Sequence, residues 1–205
     1  RKVDPHGDNL GAVPGKAMID KHDHIKWNIY RLMQYAGFPA ECEPKGLFRP
    51  YAQNLDERQG MRKNEIIRPD FLLKKPTGQE IGDVKTLSHT GANYNGPKRT
   101  EPHAAVNTRA RKVAKDYRRI AKAADRKWNN TPENAVGPIE CRLNEFGTVL
   151  PFVFGFLGEA NNAVRKLVKE MATVGARNLW RQMGQTCQNN AYGILLNKFT
   201  RTIGV

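Results

Sequence analysis

The apolar positions change their spacing several times along the chain, and each change marks an element. In residues 20–35, Ile25, Ile29, Leu32 and Met33 recur at intervals of three and four. That spacing predicts a helix with one buried face, stopped by Gly37 and Pro39. Residues 40–43 alternate briefly and predict an edge strand ended by Pro44. Residues 45–64 show no period and carry Pro50, Gly60 and several arginines, so a long surface loop is expected. The pattern then contracts: residues 66–73 and 80–87 are apolar runs of strand length interrupted by charges. Residues 74–79 between them hold a Pro and a Gly, a turn that folds the second strand beside the first.

Residues 88–99 are rich in Gly, Asn and Pro and read as a loop. The clearest period follows in residues 104–128, where Val106, Ala110, Val113, Tyr117, Ala121, Ala124 and Trp128 form one stripe. Residues 129–138 read as a polar turn, and residues 149–156 as another buried strand. Beyond residue 159, Val164, Leu167, Val168 and Met171 mark a helix. Leu179, Trp180 and Met183 suggest a second helix after Gly175, and Ala191, Ile194, Leu195 and Phe199 a third. The expected class is α/β, a small mixed sheet flanked by helices. Residues 1–19, full of Gly, Pro and charge, read as a flexible arm. Residues 20–157 form the core, and 158–205 a helical C-terminal extension packed on it.

Charge adds a partner to this outline. The chain has 205 residues, 39% of them hydrophobic, and a formal net charge of +14. An acidic polymer such as nucleic acid is the natural counterpart, because Lys and Arg near phosphates release condensed counterions. RNA or an anionic surface would satisfy the same sum. No apolar run approaches the roughly 20 residues of a membrane span, and no signal peptide is visible. Cys42, Cys141 and Cys187 stand far apart without a C-x-x-C pair, which argues against a zinc module and a disulfide framework. Reduced thiols in an intracellular protein are expected. A start at Arg1 suggests a piece of a longer chain.

The candidate chemistry lies on the hairpin, which draws Asp70, Asp83 and Lys85 together. Residues 83 and 85 leave their strand on one face. Two carboxylates in an apolar setting repel and are penalised by desolvation. A divalent cation such as Mg²⁺, which prefers oxygen ligands, removes the conflict. Lys85 could then hold or deprotonate an attacking water, or neutralise charge developing at phosphorus. A plainer alternative is an exposed hairpin with an Asp70–Lys85 ion pair. On the helix 104–128, Lys112, Lys115, Arg118, Arg119, Lys122 and Arg126 face only Asp116 and Asp125, so phosphate contact is favoured over a solvated face. Arg109 and Lys112 are nearest its active-site end. Arg68, Lys98 and Arg99 flank the hairpin as further nucleic-acid contacts, and Glu57 and Glu65 are weaker metal-ligand candidates.

Pro69-Asp70 followed by Asp83-Val84-Lys85 resembles the signature of the PD-(D/E)xK, or restriction-endonuclease-like, nuclease superfamily. Lys21-His22-Asp23-His24-Ile25 with Leu32 and Ala36-Gly37, and Pro151-Phe152-Val153-Phe154 with Gly158, are similar to endonuclease domains attached to eukaryotic reverse-transcriptase elements. Over residues 20–160 the resemblance implies a restriction-endonuclease-like core and an endonuclease that hydrolyses DNA with Mg²⁺ or Mn²⁺. It implies Asp70, Asp83 and the Val84 carbonyl as metal ligands, and His22, in preference to His24, as an added one. A mobile-element origin would imply the nucleus. Viral cap-snatching endonucleases share the superfamily and also use a first-helix His, so an RNA substrate is the alternative. A non-cleaving nucleic-acid-binding module is the third possibility, against which the intact acids and Lys85 argue.

Overall fold

The first apolar stripe becomes helix α1 (Lys16–Ala36) of the computed structural model. The structure describes residues 16–53, 67–88, 93–94, 101–156 and 158–204, without the side chains of residues 16–18 and 102. Residues 16–19, expected in the arm, are therefore helical, and residues 1–15 lie outside the described part. Gly37 ends α1 at φ +69, a value that costs glycine little. The Phe38 N–H then returns to the Met33 carbonyl at 2.8 Å.

Four strands, β1 (Ala40–Cys42), β2 (Phe71–Lys75), β3 (Gly78–Thr86) and β4 (Leu150–Phe154), form a sheet in that order, with β1 at the edge as expected. Strands β2 and β3 are antiparallel, pairing Phe71 with Gly82 and Lys75 with Gly78. The loop is thus only Pro76-Thr77, tighter than the turn over 74–79 read from composition. The helical stripe of residues 104–128 becomes α2 (Pro102–Asn129). Three further helices follow: α3 (Pro138–Glu145), α4 (Asn162–Leu179) and α5 (Gln188–Ile203). Among the described residues no helix is long and apolar enough to cross a membrane.

The chain divides into two compact units. The first holds residues 1–40, 84–110 and 151–205. Within it α1, α4 and α5 pack on Ile29, Met33, Val164, Met171, Leu195 and Phe199. The expected helix break at Gly175 does not occur. Gly175 sits inside α4, where an added Cβ would come within 3.1 Å of Leu195 and 3.2 Å of Ala36. The glycine serves close helix packing, not termination. Leu179, Trp180 and Met183 accordingly mark the end of α4 and the turn after it.

The second unit holds residues 41–83 and 111–150. Its core joins Phe48, Leu72, Ile81, Val113, Tyr117, Ala121, Trp128, Ile139 and Phe146. Phe48, only 1% exposed, and a short 3-10 turn (Arg49–Tyr51) correct the expected surface loop, since part of that stretch is core. Glu57 and Glu65 lie outside the described residues.

Helix α3 has no signal in the sequence. Its N-cap is Gly137, which offers no side-chain cap, and Pro138 opens its first turn. Asp125 of α2 does the capping instead, accepting the N–H groups of Ile139 at 2.9 Å and Glu140 at 2.8 Å. It also takes the Asn129 amide at 2.7 Å. At 1% exposure Asp125 is spent on this junction and does not offset the basic face of α2, contrary to the expectation from charge pattern.

Candidate functional site

The hairpin pairing ends at Phe71 and Gly82, and Asp70 and Asp83 are the next residues along the two arms. Asp70 lies in a bend just ahead of β2, not within the strand expected over 66–73. Its carbonyl accepts the Glu43 N–H at 2.8 Å, which ties that bend to the chain leaving β1. Asp83 is 3% exposed, and the Tyr117 hydroxyl donates to its Oδ1 at 2.8 Å.

The periodicity of α2 assigns Tyr117 to the core, and its ring is buried. Its hydroxyl nevertheless belongs to the site. Burial pushes that hydroxyl above its ordinary pKa, followed by the charge and hydrogen bond of Asp83 and then the charge of Asp70. Both carboxylates therefore act on one phenol. The available signal was that Tyr117 is the one residue of its stripe carrying a hydroxyl; its pairing with Asp83, 34 residues away, has no local signature.

Further along β3, in the first unit, Val84 is fully buried and Lys85 half-buried. Two residues beyond Asp83, Lys85 leaves the strand on the same face as that acid. His22 of α1 brings Nε2 to 3.1 Å from the Val84 carbonyl and Nδ1 to 3.2 Å from Asp23 Oδ1. Lys26, buried to 4% exposure, donates to the same Asp23 oxygen at 2.9 Å. The Lys26 hydrogen bond, then that of His22, holds the Asp23 carboxyl below its ordinary value. His24 is exposed and engages the Asn28 amide at 3.0 Å. Of the two histidines, His22 alone is brought to the Val84 carbonyl.

The basic residues are distributed less simply. Lys112, Lys115, Arg118, Arg119, Lys122 and Arg126 are exposed on α2, and Arg109 is half-buried. Acids beyond α2 reach part of this face: Glu140 lies 3.9 Å from Lys122 and Glu133 3.3 Å from Arg126. Within the helix, Asp116 lies 3.9 Å from Arg119. The charge pattern of the helix alone offers only Asp116 and Asp125 as offsets. Arg68 is exposed and borders a cavity of about 540 Å³ that Asp70 also lines. Lys98 and Arg99 lie outside the described residues.

No family profile, curated protein or solved structure matches this chain. What its residues can bind follows from the donors themselves. Among the described residues, no three His, Cys, Asp or Glu side chains gather as a ready-made metal cage. The donors on hand near Tyr117 are two carboxylates. Mg²⁺ needs little more, since it binds through one or two carboxylates and completes its shell with water and phosphate oxygens. The Tyr117 bond does not exhaust Asp83, because a carboxylate accepts about four hydrogen bonds or ligands. The pair fits a small hard cation and would not fit zinc or copper held by nitrogen and sulfur.

Proposed function

We propose that this chain is a metal-dependent endonuclease that hydrolyses phosphodiester bonds in DNA, built on a restriction-endonuclease-like core. The observation that carries this is the Tyr117 hydroxyl bonded to Asp83, with the charge of Asp70 acting on the same group. Two neighbouring acids repel each other, and a cation held by both would relieve that repulsion. The likeness of Pro69-Asp70 and Asp83-Val84-Lys85 to the PD-(D/E)xK signature adds support. Asp70 and Asp83 would hold Mg²⁺ or Mn²⁺, with the Val84 carbonyl and His22 as the further ligands that the likeness implies. When bound, the ion supplies a polarised phosphate and a water of lowered pKa.

The chain's own groups do the rest. Tyr117 fixes the Asp83 carboxylate in one orientation by donating to Oδ1. Asp23, which also accepts from Lys26, holds the His22 ring. Lys85 orients a water or answers negative charge with its ammonium. Arg109, Lys112, Lys115 and Arg119 on α2 bind phosphates without reading bases. The retroelement likeness makes the target DNA of a mobile element, in the nucleus, the proposed setting. A second reading, an RNA endonuclease of the cap-snatching type, is favoured by one observation: a first-helix histidine, His22, on the Val84 carbonyl.

Incubation with single-stranded and duplex DNA and RNA, in Mg²⁺, Mn²⁺ or chelator, tests both. Metal-dependent cleavage of DNA is expected. Asp70→Ala should abolish it, and Lys85→Ala should slow it by about 10²–10⁴-fold, with nucleic-acid binding nearly unchanged in each. Cutting of RNA alone would replace the first reading by the second. Equal cleavage by wild type and Asp70→Ala would remove both.

A further inference from the structure

The cavity beside Asp70 has no part in the chemistry described so far. It encloses about 540 Å³ between residues 43–49 and residues 67–70, all of the second unit. Lys45, Arg49 and Arg68 supply three cations to its lining, and Leu47, Ile67 and Pro69 supply apolar surface. Glu43 and Asp70 add two carboxylates. The two walls are joined by the Glu43 N–H bond to the Asp70 carbonyl. To make that bond, Glu43 adopts φ +49, a left-handed value that few residues other than glycine accept. Strain of this kind persists where the surroundings impose it, often at a binding site.

We propose that this cavity receives one unpaired nucleotide next to the bond to be cut. Its volume lies in the range of pockets that enclose a small molecule, roughly 300–1,000 Å³. A continuous duplex, with both bases of each pair stacked inside, cannot enter such a space; a single splayed nucleotide can. The mixture of linings matches that guest. Cations meet the phosphate, with Arg able to bind it bidentately. The proline and aliphatic surface meets the sugar and base, which single-strand recognition takes up by packing more than by hydrogen-bond readout. The position of Asp70 in the wall puts the pocket beside the proposed metal site, so the placement of the guest next to the scissile bond rests on the nuclease reading. The consequence is selectivity for nicks, flaps, overhangs or single strands over unbroken duplex.

Binding in chelator separates the two ideas, since no cleavage occurs there. A fluorescently labelled blunt duplex and the same duplex with a three-nucleotide overhang are titrated by anisotropy, each as DNA and as RNA. Wild type should bind the overhang substrate roughly tenfold more tightly. The double variant Lys45→Ala/Arg49→Ala should lose that preference while keeping its affinity for the blunt duplex. Its salt slope on the overhang substrate should fall by about 0.7 for each cation removed. Both side chains are exposed, so folding should survive; charge reversal at Lys45 alone provides a second variant, expected to weaken the preference. A preference confined to the DNA or the RNA pair assigns the sugar. No preference in wild type, or one that persists in the double variant, overturns the pocket. Metal-dependent cleavage is decided by its own assay, and its loss would leave the binding preference intact.

Discussion

Asp125 and Asp83 are buried carboxylates of the same unit, at 1% and 3% exposure, and their surroundings differ in kind. Asp125 receives two backbone N–H groups and an amide, all neutral donors that stabilise its charge and start α3. Asp83 receives the Tyr117 phenol, and the charge of Asp70 acts on the same phenol. A carboxylate that accepts backbone N–H groups at a helix start serves the fold. Two carboxylates acting on one group repel each other, and the proposed cation site rests on that arrangement. Burial alone does not separate the two cases; the partners do.

Substitutions should therefore split along this line. The largest stability loss is expected for Asp125→Ala, which strands the two buried N–H groups of Ile139 and Glu140. Roughly 3–4 kcal/mol should be lost in urea unfolding; a loss under about 1 kcal/mol would erase the contrast. Gly137→Ala attacks the same junction, since its Cβ would fall 2.2 Å from the Asp125 carboxyl carbon. A loss of about 2–3 kcal/mol is expected by the same measurement. Tyr117→Phe should cost less, about 1–2 kcal/mol, because one hydrogen bond to a buried acceptor goes.

That last variant also carries a pH signature. The folded protein holds the Tyr117 proton above the ordinary value of 10.0, whereas the unfolded chain releases it there. Its contribution is thus complete below about pH 10 and declines as pH rises further. Wild-type stability should fall with alkali more steeply than that of Tyr117→Phe. Some slope should remain, because Tyr94, buried and bonded to Glu159, is raised in the same direction. Parallel alkaline curves for the two proteins would take Tyr117 out of the carboxylate pair. Asp83→Asn is the mildest: stability within about 1 kcal/mol of wild type or above it, since like-charge repulsion is relieved, yet with cleavage lost.

The elements legible in the sequence were those whose partners are near in the chain. Val106, Val113, Tyr117, Ala121, Ala124 and Trp128 of the α2 stripe are buried because helical spacing is a local property. The hairpin was legible for the same reason. Helix α3 was not, because Gly137 carries no capping side chain and its cap arrives from Asp125, in another helix. Gly175 misled because a helical glycine chosen for close packing has the same letter as one that ends a helix. Phe48 misled because a lone aromatic in a polar stretch has no period. The Tyr117 hydroxyl, the Asp23 brace on His22 and the cavity at Lys45 and Arg68 all depend on tertiary contact.

A calorimetric titration of Mn²⁺ into wild type and Asp83→Asn, without nucleic acid, bears most directly on the carboxylate pair. Saturable binding to wild type, absent or at least about tenfold weaker in the variant, is the predicted result. No saturable binding to wild type, or the same isotherm for both proteins, would mean that Asp70 and Asp83 do not hold a metal ion.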